Sequence, residues 1–205
     1  MVNILHIDSS PRGERSHSRE LSKEFVSSWK AAHPEDAIAY RDIGRHTIPH
    51  VNEAWIASAF SPPETHTPEL TEALRISDEL IDEFLAADRY VFGVPMYNFN
   101  IPSTFKAYID QIVRINRTVA IEAQGFRGLV EGKKAVIITA RGGDFSATSP
   151  FVAYDFQEPY LRTIFGFIGI TDIQFINANS LNGGDARTQS LSEAQAAIQN
   201  LITQW

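Results

Sequence analysis

A doubly wound α/β domain on a five-stranded parallel sheet is the fold class this sequence predicts. Short apolar runs of strand length alternate with amphipathic helical stretches from end to end, the pattern of βαβ units joined by right-handed crossovers. One of those runs, Lys134 to Ala140, is apolar almost throughout, as a parallel strand covered on both faces requires. A hydroxyl-rich turn, Ser9-Ser10-Pro11-Arg12-Gly13-Glu14-Arg15-Ser16-His17-Ser18, joins the first strand to the first helix. In such sheets the ligand sits beyond the carboxyl ends of the strands.

Val2 to Asp8 reads as the first strand, and Ser18 to about His33 as the first helix, with Leu21, Phe25, Val26 and Trp29 on one stripe. Ala37 to Ile43 is the second strand. Residues 44 to 66 are irregular, with a short helix near Glu53 to Phe60. A second long helix opens at Thr67 as N-cap, Pro68 and Glu69, and carries Leu70, Leu74, Ile81, Phe84 and Leu85. Tyr90 to Pro95 is the third strand, and Pro102 opens a third helix bearing Phe105, Tyr108, Ile109, Ile112 and Val113. Arg117 to Gly132 suits a hairpin excursion. After the strand at 134–140, a helix starts at Pro159, the fifth strand spans Thr171 to Asn177, and Ser190-Leu191-Ser192-Glu193 reads as the capping box of the last helix. No linker or internal repeat divides the chain, so one domain, 1–205, is expected.

Composition narrows the function. The net charge is −7 with no basic cluster, which argues against nucleic acid and anionic membrane as partners. There are no cysteines, so disulfide, zinc-thiolate, iron–sulfur and thiol-nucleophile chemistry are excluded, and a reducing cytoplasm fits. The apolar runs fall far short of the ~18 residues of a membrane span, and no signal-peptide pattern precedes the first strand. The six histidines form no metal pattern; His46 and His50, four apart, lie in a Pro-flanked irregular stretch.

Three loops at strand ends should converge. The serine turn leaves backbone N–H groups unpaired at a helix start, where the dipole favours an anion. It matches neither G-x-G-x-x-G nor G-x-x-x-x-G-K-[ST], which favours a mononucleotide over a dinucleotide site. A plain helix cap accounts for the same serines. The loop after strand three, Pro95-Met96-Tyr97-Asn98-Phe99-Asn100-Ile101-Pro102, offers stacking surface and polar groups for a planar ligand; core aromatics and turn asparagines are the other reading. Gly142-Gly143, after strand four, lets backbone approach a ring or forms a flexible turn. Gly183-Gly184 reads as a turn.

Together these loops resemble the FMN-dependent NADH-azoreductases, also described as FMN-dependent NADH:quinone oxidoreductases, over essentially the whole chain. The resemblance is carried by Pro95-Met96-Tyr97-Asn98-Phe99-Asn100-Ile101 with Lys106 and Tyr108, by Gly128-Leu129-Val130 with Gly132-Lys133-Lys134-Ala135, by Arg141-Gly142-Gly143, and by Phe165-Gly166-Phe167-Ile168-Gly169-Ile170-Thr171-Asp172. It implies a flavodoxin-like sheet of order 2-1-3-4-5 and non-covalently bound FMN. Ser10, Ser16, His17 and Ser18 would hold the phosphate. Met96, Tyr97, Asn98 and Phe99 would line the isoalloxazine, with the Asn98 N–H near N5, and Ala140, Arg141, Gly142 and Gly143 would border the pyrimidine edge. It further implies a ping-pong, two-electron transfer from NADH to quinones or azo dyes with no catalytic side chain, and a homodimer with its flavin sites at the interface. Val119 and Ile121 stand where the family often carries aromatics, and Asp144-Phe145 departs from its pattern; both bear on the choice of acceptor. The residues leave two rivals: a flavodoxin-type electron carrier, and a hydrolase using Ser9 or Ser10 with His17, for which no acid partner can be placed.

Overall fold

Period-two alternation sorts the strand side chains onto the two faces of one sheet. In the computed structural model, which describes all 205 residues, Ile4, Val91, Val136 and Ile138 pack on one face with Leu21, Phe25, Trp29, Ile198 and Ile202. Their neighbours Leu5, Ile7, Phe92, Val94 and Ile137 pack on the other with Phe84, Phe105, Ile109 and Phe165. Both cores are needed because a parallel sheet cannot leave a face in water. Phe92 is at the centre of the second core, stacked between Tyr90 at 5.7 Å and Phe165 at 4.9 Å.

The strands and helices run β1 (Asn3–Asp8), α1 (His17–Ala32), β2 (Ala37–Asp42), α2 (Glu53–Ala59), α3 (Pro68–Ala86), β3 (Arg89–Pro95), α4 (Ser103–Ile112), β4 (Val119–Glu122), β5 (Gly125–Gly128), β6 (Lys134–Ala140), α5 (Gln157–Phe167), β7 (Asp172–Ala178) and α6 (Gly184–Ile202). The main sheet has the order β2-β1-β3-β6-β7, all parallel. Because β4 and β5 pair only with each other, as the expected hairpin, this is the 2-1-3-4-5 order in the numbering of the main-sheet strands. The order reverses beside β1, which makes the crevice between the β1 and β3 ends the switch point. Register aligns those ends: Asp8 sits opposite Gly93, Pro95 opposite Ala140, and Ala140 opposite Ala178.

Several elements differ from their sequence reading. The helix α1 begins at His17 with Ser16 as N-cap, so Ser18 belongs to its first turn. The last helix begins at Gly184, with Gly183 as N-cap and no side-chain cap. Ser190 to Glu193 therefore lies inside α6 and caps nothing. Its first turns carry exposed polar side chains that give no apolar period to read. Trp55, an aromatic whose sequence setting reads as exposed and as weak support for a dimer, is buried, and its indole N–H donates to Gln111 Oε1 at 2.9 Å. No helix is long and apolar enough to cross a membrane.

Candidate functional site

The β1–α1 turn is anchored from beneath. Ser9 spends both its N–H and its hydroxyl on the Gly93 carbonyl, at 3.1 and 3.0 Å. Glycine is required at 93 because a Cβ there would lie 2.2 Å from Asp8 Oδ1. That carboxylate accepts from Ser22 at 2.8 Å and Tyr40 at 3.1 Å. Arg19 grips the turn from the helix: its Nε donates to the Ser10 carbonyl at 2.7 Å while its guanidinium pairs with Asp42. Burial works to raise the Asp42 carboxyl, but the Arg19 contact outweighs it and leaves the group below its usual range.

Above this support, donors are left over. Ser16 caps α1, with its hydroxyl 3.1 Å from that of Ser18. The backbone N–H groups of Ser10, His17 and Ser18 have no acceptor within the chain. They lie where the α1 dipole is positive. Ser10 and Ser18 are fully buried, so an unmet donor there is costly unless a ligand supplies the acceptor. The hydrolase reading gains nothing: the Ser9 hydroxyl is committed to Gly93, and the His17 ring faces Glu20 at 3.5 Å.

The β3 loop is a tight turn. Tyr97 and Asn100 exchange backbone hydrogen bonds of 2.8 and 3.0 Å, with Asn98 at φ 46° and Phe99 at φ 69°. Two successive left-handed residues are the type I′ pattern, which Asn tolerates and Phe strongly disfavours. The Asn98 N–H is unbonded, while the Phe99 carbonyl accepts from Phe156 N–H at 3.1 Å. Tyr97 and Phe99 remain substantially exposed, so neither is a core aromatic.

The β6 loop is laced to the segment after β7. Carbonyls of Arg141, Gly142 and Gly143 accept from Leu181, Asn182 and Ser180 at 2.9–3.1 Å. The N–H groups of Gly142 and Gly143 remain without acceptors, and a Cβ on Gly142 would come within 2.5 Å of the Asn182 amide. The Arg141 side chain turns inward. It is fully buried, 3.0 Å from Asp155, and its Nε donates to Gln157 Oε1 at 3.1 Å. Burial lowers its pKa, opposed by Asp155 and Glu158. The Gln157 amide in turn donates to the Val94 and Pro95 carbonyls at 3.2 and 3.1 Å. One buried network thus ties the ends of β3 and β6 to the start of α5.

These loops enclose a cleft of about 420 Å³, within the range of small-ligand sites. Of the residues singled out from the sequence, Ser10, Ser16 and His17 line it from the β1 side. Met96, Tyr97, Ala140, Arg141 and Gly142 line it from β3 and β6. Ser18, Asn98, Phe99 and Gly143 stand outside its walls. Arg12, which the serine turn offers as a phosphate countercharge or a plain surface charge, lines it too, as do Asn182 and Arg187, which sequence reasoning did not place in the site. No Asp or Glu side chain lines the cleft, although the chain carries 25 acidic residues. A larger groove of about 790 Å³ between α1 and β2 is lined by charges of both signs, with Asp8, Glu14, Glu20, Glu24 and Asp42 among them, so it offers an anionic ligand no carboxylate-free wall. Unmet donors, absent carboxylates, a flat aromatic wall and a close-approach glycine fit a planar ligand carrying an anionic tail, as FMN is.

Fold and cleft together define a flavodoxin-like α/β protein, and the family model described as "Flavodoxin-like fold" matches residues 2–202. The chain is 89% identical, over 205 residues and 100% of both chains, to the FMN-dependent NADH:quinone oxidoreductase of Nostoc punctiforme. It is 62% identical to an FMN-dependent NADH:quinone oxidoreductase of Trichormus variabilis, over 207 aligned positions and 100% of both. It belongs to the family of FMN-dependent NADH:quinone oxidoreductases. Among solved structures, an azoreductase from Bacillus anthracis superposes with a TM-score of 0.93 at 26% identity, covering 100% of each chain. An FMN-dependent NADH-azoreductase from the same species, solved with FMN, shares the fold at a TM-score of 0.87 and 24% identity, covering 98% of this chain and 100% of its own.

Proposed function

We propose that residues 1–205 form one FMN-binding domain that transfers two electrons from NADH to quinones and azo compounds by a ping-pong mechanism. The observation that carries the reading is the carboxylate-free cleft, which joins acceptor-less N–H groups at the α1 start to the Tyr97 wall. The redox chemistry is what FMN supplies when bound: two-electron transfer between donor and acceptor. The protein's work is to bind and orient. In this reading Ser10, Ser16, His17 and Ser18 hold the phosphate through hydroxyls and backbone N–H groups. Met96, Tyr97, Asn98 and Phe99 flank the ring, and the free Asn98 N–H serves N5. The Gly142 and Gly143 N–H groups are matched to the pyrimidine carbonyls; Ala140 and Arg141 border that edge through their backbone. No side chain is required as acid or base.

Ping-pong order is part of the proposal because donor and acceptor would take turns on one exposed ring face. A homodimer with the flavin at its interface also belongs to it. Its support is exposed aromatic surface beside the cleft: Phe99, Phe151, Tyr154 and Phe156, with Ile121, Phe126 and Phe167 on and beside the hairpin. Patches of this kind mark association sites. A cytoplasmic setting, where NADH is supplied, belongs to the same proposal.

The test is an anaerobic visible spectrum before and after NADH. A yellow protein that bleaches and is reoxidised by quinone or azo dye supports the reading. A flavin-loaded protein that NADH leaves oxidised returns the carrier alternative. Failure to take up FMN at all overturns both. Parallel double-reciprocal lines are expected for ping-pong, and intersecting lines would remove it.

A further inference from the structure

Thirteen arginines occur in the chain, and only Arg12, Arg15, Arg89 and Arg187 have no Asp or Glu side chain within ion-pair distance. Arg89 is otherwise engaged: it donates to the Trp205 carbonyl and lies 5.0 Å from the ring centroids of Trp29 and Trp205. In a chain of net charge −7, the remaining three are conspicuous, and two of them, Arg12 and Arg187, line the cleft.

Arg187 is the odder of the pair. It is the fourth residue of α6, where the helix dipole repels a cation. Its side chain makes no hydrogen bond and no ion pair, and only its backbone N–H is bonded, to the Gly183 carbonyl at 3.0 Å. Arg187 is exposed, and nothing within the chain pairs with its charge. Helices α1 and α6 explain where it points its charge. Both follow parallel strands, so both begin at the carboxyl rim of the sheet, and they pack side by side through Phe25, Ile198 and a 3.0 Å hydrogen bond from Gln195 to Glu24. The start of α6 thus stands beside the start of α1, and Arg187 shares its cleft with Ser10, Ser16 and His17.

We propose that Arg187 is a phosphate-binding residue of the flavin site, supplying from α6 the second positive charge that complements Arg12. This rests on the FMN reading above and deepens it. A phosphate monoester carries about −1.5 to −2 charges at pH 7. The serine hydroxyls and backbone N–H groups offer hydrogen bonds but no full countercharge. The Arg141 guanidinium is already spent on Asp155. Two unpaired guanidiniums balance the dianion, and a cleft without carboxylates leaves nothing to compete for them.

The full-length protein, freed of flavin, would be titrated with FMN and with riboflavin, which shares the ring but lacks the phosphate. Arg187→Gln is expected to weaken FMN binding roughly tenfold, the scale of one charge-assisted hydrogen bond, and to leave riboflavin affinity unchanged. Arg187→Lys should recover part of the loss. The dependence of FMN affinity on salt should become shallower in Arg187→Gln. Equal weakening of both flavins would place Arg187 with the ring or the fold and overturn the proposal. So would an unchanged FMN affinity with a raised KM for NADH, which would assign the guanidinium to the donor. Wild-type protein that binds neither flavin overturns the parent reading and this one together; wild-type and Arg187→Gln proteins that bind FMN equally overturn this one alone.

Discussion

At the α1 end of the cleft, the N–H groups of Ser10, His17 and Ser18 have no acceptor and two nearby arginines have no partner. At the β3–β6 end the unmet Asn98, Gly142 and Gly143 N–H groups sit on a braced interior, where Arg141 pairs with Asp155 and bonds to Gln157, which in turn bonds to the Val94 and Pro95 carbonyls. The contrast follows from what each end is built to meet. An anion is bound by donors that the fold leaves unspent. A flat ring is bound by walls whose spacing must not drift, so the groups behind those walls are consumed in holding them. Unspent donors at one end and a braced scaffold at the other are complementary parts of one cleft.

The largest effect is expected where the closed end is opened. Arg141→Met strands Asp155 without its buried countercharge, while Glu158 keeps Arg162, and should cost about 3–5 kcal/mol, read as a lower urea midpoint. Because β3 and β6 lose their common brace, affinities for FMN and riboflavin should fall together. A variant as stable as wild type would show that the network is dispensable and the comparison false. The open end should respond differently. Ser16→Ala removes the α1 cap at a cost of about 1 kcal/mol, and it should weaken FMN selectively while sparing riboflavin.

A smaller change is expected at the turn between the two ends. Phe99 holds φ 69°, a conformation worth about 1–2 kcal/mol of strain for a non-glycine residue. Asn-Gly is the favoured pair for such a turn. Phe99→Gly should therefore leave the melting temperature level or slightly raised, although it deletes a large side chain. A clear fall would mean that the ring's contacts with Phe145 and Tyr154 hold the turn in place.

The smallest effect, a control away from the cleft, concerns Asp36. Its carboxylate accepts from the Val2 N–H at 2.7 Å and the Trp29 indole at 3.0 Å, and the Val2 bond leads in holding it below the usual carboxylate range. A depressed folded pKa gives stability that is complete above the unfolded value of about 3.9 and is lost as pH falls through the folded one. Asp36→Asn should lower stability at neutral pH. The gap to wild type should close in acid below about pH 4, with flavin binding unaffected throughout.

The sheet was legible because burial on both faces forces continuous apolar runs, and 134–140 is the clearest of them. The start of α6 was not, because Asp185, Arg187 and Gln189 project from the sheet rim and carry no core-facing period. The serine turn and the Tyr97 loop could be read because turn chemistry is local. Asn182 and Arg187 could not: the hydrogen bonds that fold residues 180–182 onto 141–143 join segments about forty positions apart with no shared motif. Arg141 shows the same limit in reverse. Its neighbour Gly142 draws attention to a ligand, while its guanidinium is claimed by an aspartate and a glutamine in the next helix region.

Trp29 and Trp205 meet edge to face at 5.2 Å in the core formed by α1 and α6, whereas Trp55 bonds to Gln111 of α4. Indoles so close and so oriented couple their excited states. The molecule therefore carries its own optical gauge of packing in the near-ultraviolet. Compared between flavin-free proteins, loss of that signal reports damage to the framework, apart from any loss of the cofactor.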